Sequence, residues 1–131
     1  MRVTCIGNSG QQLPKKYLAS GNTVQSVFHV ELGHTYPVYG ISLWDDGTLN
    51  YLLQGKNEDL PSWNPSELFR VSESSLPMEW YFNYYSNRTV PAIWGYKELV
   101  LDEEHHDALI ERESDAIKIF LKRKKEIDEF M

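Results

Sequence analysis

The sequence predicts an α+β fold, mostly β: a small barrel or strongly twisted antiparallel sheet with a long C-terminal amphipathic helix packed on it. Up to Val100 the apolar residues come in short runs rich in Val, Ile, Tyr, Phe and Trp, broken by Gly, Pro, Asn and Asp, the pattern of strands and turns. After Leu101 neither Gly nor Pro occurs. In that stretch Leu109, Ala116, Phe120 and Ile127 recur at helical spacing, and Ile110, Ile117 and Leu121 widen the stripe. A chain of 131 residues buries one hydrophobic core and is short for two. One domain over 1–131 is therefore expected, with a β-rich body over 1–100 and a helix over 101–131.

Taken in order, Arg2 to Ile6 reads as a first strand, followed by a polar excursion in which Leu13, Tyr17 and Leu18 dock a helical turn. Val27 to Leu32 alternates, with Val27, His29 and Glu31 against Phe28, Val30 and Leu32, the period of a half-buried strand. Tyr36 to Trp44 is a strong strand. Asp46-Gly47 then supplies the backbone freedom of a tight turn into Leu49 to Leu53, a hairpin. Leu60-Pro61-Ser62-Trp63-Asn64-Pro65 reads as an arm laid across the body, because its prolines lack the amide hydrogens a ladder uses. Leu68 to Val71 and the aromatic run Met78 to Tyr85 are further strands. Val90 to Trp94 and Lys97 to Val100 form a last strand or an irregular lead into the helix. Asp102 is the helix N-cap. Residues 102–115 hold seven acids against Arg112, and Lys122 to Lys125 follow, in the sense that complements the helix macrodipole.

The formal charge of −6 disfavours DNA and RNA as partners and favours a basic protein. Lys122 to Lys125 is a small basic run on an acidic chain and reads as a solvated helix end. With Cys5 as the one cysteine, no intramolecular disulfide forms and a four-thiolate zinc site is excluded. The opening residues lack the pattern of a signal peptide, and no apolar run reaches membrane-spanning length, so no membrane partner and a cytoplasmic location are expected.

No phosphate-cradling loop, nucleophile elbow or dinucleotide fingerprint occurs, and no catalytic residue, cofactor or metal ligand is assigned. The chain reads as a non-enzyme. His105-His106 among Glu103, Glu104 and Asp107 is the densest group of metal-capable side chains, but adjacent helical residues point about 100° apart. A solvated acidic first turn is the plainer reading. A small enzyme or metal protein using His105, His106, Glu103 and Cys5 is the remote alternative. Cys5 itself reads as a small buried hydrophobe.

Trp44, Trp63, Trp80 and Trp94, with Tyr81, Phe82, Tyr84 and Tyr85, exceed what a small core readily absorbs, since Tyr and Trp need partners for their polar atoms. One face of the strand around Trp80 to Tyr85 covers the helix. The other meets a partner, or lies under the proline-rich arm or the 10–24 loop. Exposed rings beside acids have the chemistry of a protein-recognition surface.

The order Tyr36-Pro37-Val38-Tyr39-Gly40-Ile41, Asp46-Gly47, Tyr51-Leu52-Leu53, Pro61-Ser62-Trp63-Asn64-Pro65, Leu68-Phe69 and Leu76-Pro77-Met78-Glu79-Trp80, over residues 25–100, resembles small bacterial immunity proteins of polymorphic-toxin and contact-dependent growth inhibition systems, which have an SH3-like β-barrel body. The resemblance implies a cytoplasmic antidote that binds one cognate toxin domain, often a nuclease, as a monomer or weak homodimer. From the residues themselves, the expected partner-binding set is Trp44, Asp45, Asp46, Trp63, Tyr84 and Tyr85, with Glu103, Glu104 and Asp107 as a second anchor. The rival is an SH3-like adaptor with Tyr36, Tyr39, Trp44, Trp63 and Pro65 as an aromatic groove for a proline-rich peptide.

Overall fold

A computed structural model of the chain describes residues 1–15, 17, 23, 25–55 and 60–130. Among these the strands are β1 (Arg2–Cys5), β2 (Thr35–Pro37), β3 (Gly40–Leu43), β4 (Leu49–Gln54), β5 (Pro61–Pro65), β6 (Phe69–Glu73), β7 (Tyr81–Tyr84) and β8 (Ala92–Gly95). The helices are α1 (Lys97–Leu101), α2 (Glu103–Ile110) and α3 (Ser114–Phe130). The strands form two antiparallel sheets, ordered β2-β1-β6 and β5-β4-β3-β8-β7. The fold is α+β and mostly sheet, as the composition of the two halves predicts. Neither sheet closes, so the architecture is twisted sheets rather than a barrel.

The five-stranded sheet is the middle layer. Along β4, Tyr51 and Leu53 point into a core shared with Val3, Cys5, Tyr36, Leu68 and Phe69 of the small sheet and its flanks. Leu52 points the other way, into a core with Ile93, Leu99, Leu109 and Phe120. A sheet covered on both faces needs two apolar layers, and for that reason the single core expected from length becomes two. Leu13 and Tyr17 seal the first, beside a 3₁₀ turn at Gly10–Gln12, while Leu18 lies outside the described residues.

The expected strand Tyr36 to Trp44 is divided between the sheets, β2 pairing with β1 and β3 with β4 and β8. Val38 belongs to the first core and Tyr39 to the second, so the chain crosses between layers at this step. The hairpin β3–β4 forms as expected. Its turn, closed by the Trp44 amide donating to Thr48 O at 2.8 Å, needs a positive φ only at Gly47 (+86°), and the Asp46 carboxylate accepts from the Thr48 amide at 2.9 Å and hydroxyl at 2.7 Å.

Pro61 to Pro65 corrects the reading of an arm: β5 pairs with β4 along its whole length, Pro61 opposite Gln54 and Pro65 opposite Asn50. It is an edge strand with both prolines on one parity, so the alternate amides of Ser62 and Asn64 suffice for the ladder. Val27 to Leu32 is not a strand. Val27 makes one isolated bridge to Ser9, and the backbone then bends, Val30 donating to Phe28 O and His34 to Glu31 O. Phe28 and Val30 still face the core, but Leu32 is exposed. Lys97 to Val100 belongs to a helix and not to a strand.

The single C-terminal helix is also corrected, since α2 and α3 are separated by a break at 111–113. Arg112 takes a positive φ of 59°, its amide donates to Leu109 O, and the Glu113 amide donates to Ala108 O. This is the closing hydrogen-bond pair of a Schellman turn, with arginine where glycine is usual. Leu109, Ala116, Phe120 and Ile127 are buried, as their spacing predicts. Ile110 and Leu121, which the spacing placed on the stripe, are exposed.

Candidate functional site

Between the β7–β8 connection and the helices lies a cleft of about 190 Å³. Tyr85, Arg88, Thr89 and Val90 form one wall, Leu99 and Val100 of α1 the base, and Glu103, His106 and Asp107 of α2 the other wall. Local sequence explains the helical wall. Asp102 caps α2 by accepting from the His105 amide at 3.2 Å, and the i, i+3, i+4 spacing then puts Glu103, His106 and Asp107 on one side. Tyr85 is anchored from both sides, its hydroxyl donating to Val100 O at 3.2 Å and accepting from Asn83 Nδ2 at 2.7 Å. The Arg88 guanidinium lies 4.7 Å from the centroid of the Tyr85 ring and pairs with Glu103 across the mouth.

The two imidazoles correct the expectation of a wholly solvated first turn. Glu103, Glu104 and Asp107 are exposed, but His105 is buried with Nε2 2.7 Å from the Tyr96 hydroxyl. His106 is half-buried, its ring 6.1 Å from that of Trp63. Its Nδ1 is buried without a hydrogen-bond partner. Burial pushes the pKa of both rings below the usual imidazole value, against the pull of Glu98 and Asp102 on His105 and of Asp107 and Glu103 on His106. Both helical positions turn inward because α2 packs on the sheet through the face that carries Leu109.

No protein-family model, curated protein or solved structure matches the chain. The arrangement of the site is therefore read from its own geometry.

Of the expected partner-binding residues, Tyr85, Glu103 and Asp107 line the cleft, and Trp63 backs it through His106. Trp44 is half-buried, its indole donating to Ser42 Oγ at 3.1 Å. Asp45 and Asp46 are exposed on the β3–β4 turn, and the Asp45 amide donates to Thr89 O at 2.8 Å, which ties that turn to the rim of the cleft. Tyr84 is 63% exposed on β7. Glu104 is exposed but does not line the cleft.

Phe82 and Tyr81 are exposed beside Tyr84, and Phe82 packs on Trp94 at 4.9 Å between ring centroids. The proline-rich arm does not cover these rings, because β5 and β7 are opposite edges of the same sheet. Trp80 is packed against the first core.

The aromatic groove of the adaptor reading is dispersed. Tyr36 and Tyr39 are buried and border a different cleft, beside Lys124 and Asp128, while Trp44, Trp63 and Pro65 lie elsewhere in the large sheet. Cys5 sits in the first core, in the layer opposite His105 and His106, with its thiol donating to Gly7 O. Among the described residues no group of three or more His, Cys, Asp or Glu is arranged to hold a metal, and no helix is long and apolar enough to cross a membrane.

Sequence reasoning missed Arg88 and Thr89. Asn87, at φ 63°, was a signal for a turn between two strands, but nothing local announces that the next side chain reaches Glu103.

Proposed function

We propose that the chain is a protein-binding module of the immunity type, which docks in the cytoplasm on a cognate toxin domain with a basic surface, a nuclease, and blocks it. The reading is carried by one observation: Glu103 and Asp107 of α2 line a cleft with the Tyr85 ring, while Tyr81, Phe82 and Tyr84 of β7 and Asp45 and Asp46 of the β3–β4 turn stand exposed outside it. Aromatic anchors with acids around them suit a partner whose own task is to attract phosphates, since the same basic surface that draws nucleic acid speeds encounter with an acidic inhibitor. The formal charge of −6 acts in the same sense at long range.

The test is to express the proteins encoded by the genes that flank this chain's own, measure binding of each by calorimetry, and score growth of cells producing each with and without the chain. Saturable binding of one of them, and rescue from it, are expected, with affinity falling at least tenfold for Y84A. A set of folded flanking proteins none of which binds or is neutralised removes the proposal.

A further inference from the structure

The cleft beside Tyr85 already holds a guanidinium of the chain's own. Arg88 offers the Tyr85 ring a cation and pairs with Glu103 through one guanidinium nitrogen, the two kinds of contact that an arginine from outside would seek. The arrangement is loosely held. The Arg88 and Glu103 side chains are 50% and 54% exposed, and ion pairs so open to water contribute little to stability. Arg88 is carried on the tight turn at Asn87, outside the strands on either side.

Arg88 also leaves part of the site unused. Asp107 lines the same cleft and, among the described residues, has no cationic partner. A guanidinium from outside, which has only donors to offer, complements both carboxylates of the cleft, Glu103 and Asp107, where Arg88 engages only Glu103.

We propose that this cleft receives an arginine side chain of the docking partner, and that Arg88 is an internal place-holder which the incoming guanidinium displaces. The proposal rests on the docking reading above and deepens it by naming the side chain recognised. Arginine is favoured over lysine because a planar fork both spans two acceptors and stacks on the Tyr85 ring, whereas an ammonium is a point charge with a larger hydration cost.

The experiment titrates the full chain, and its R88A variant, with a tri-arginine peptide at low salt while following the side-chain NMR signals of Tyr85 and His106. R88A is expected to bind at least tenfold tighter than the unaltered chain and to prefer tri-arginine over tri-lysine. The R88A/E103Q/D107N variant is expected to lose saturable shifts while keeping its thermal unfolding midpoint. No saturable shift in R88A, equal binding by the unaltered chain, or undiminished binding by the triple variant overturns the proposal. Equal binding of tri-lysine overturns the choice of arginine. A toxin domain bound equally well by the unaltered chain and the triple variant would sink the cleft and leave the docking reading standing. Peptide binding without any toxin binding would do the reverse.

Discussion

Strands β5 and β7 both end the five-stranded sheet, yet β5 contains two prolines and β7 none. In β5 the edge is closed by missing donors, and the strand is largely covered: Pro61, Asn64 and Pro65 are buried and Trp63 packs into the second core. In β7 the rings of Tyr81, Phe82 and Tyr84 stand in water. Its edge is blunted by a side chain instead. Tyr85 donates across the ladder to Pro91 O at 2.6 Å, so by alternation the Tyr84 amide faces the open side, where Asn83 Oδ1 accepts it at 2.9 Å. One edge is thus finished as part of the core, and the other is kept open with a removable guard. The second kind is the edge a binding protein can use.

Aromatic truncation is expected to separate the two edges most. Trp63→Ala removes a ring packed between the second core and His106, and should cost about 2–3 kcal/mol of stability, read from urea unfolding. Tyr84→Ala should cost less than about 0.5 kcal/mol, as for other exposed positions. Similar losses at the two positions would abolish the distinction.

Acid should sharpen it. The folded state holds His105 and His106 with lowered pKa values, whereas the unfolded chain takes up protons near the ordinary imidazole value, so stability present above about pH 6.5 declines as pH falls. A second decline follows below about pH 4.5, because the Arg123 fork, donating to both Glu98 oxygens at 2.7 Å, holds that carboxyl down to about 2. Since His106 lies against Trp63, hydrogen exchange corrected for intrinsic rate should accelerate in β5 between pH 7 and 5. Acceleration confined to β7 would contradict this account.

The smallest effect concerns the guard. Asn83→Ala frees the Tyr84 amide and also removes the hydrogen bond to the Tyr85 hydroxyl, so it should cost about 1 kcal/mol of stability, while producing concentration-dependent self-association in sedimentation experiments. A monomer at all concentrations would mean that β7 is protected by something other than Asn83.

The residues whose fate was legible are those governed by near neighbours. Gly47 sits where the turn needs a positive φ, Asp102 caps because its carboxylate reaches an amide three residues on, and Val3 and Cys5 point inward together because strands alternate. The candidate site was half legible. Its acids and Tyr85 announced themselves by type, but Arg88 acquires a role only through Glu103, fifteen positions away, and His106 only because α2 is pressed onto β5. Pro61 to Pro65 misled for a related reason: proline forbids a central strand, and only the sheet order reveals an edge.

By itself, then, the sequence determined the buried stripe Leu109, Ala116, Phe120 and Ile127, the position of the hairpin turn and the start of α2, since each follows from spacing and backbone chemistry within a few residues. Tertiary structure alone decided that Val38 and Tyr39 enter different cores, that Arg112 takes a left-handed conformation to divide the helix, and that β7 is left uncovered. A left-handed arginine is locally unfavourable, and an alternating strand fits either sheet equally well. Such choices are settled by packing between residues far apart in the chain.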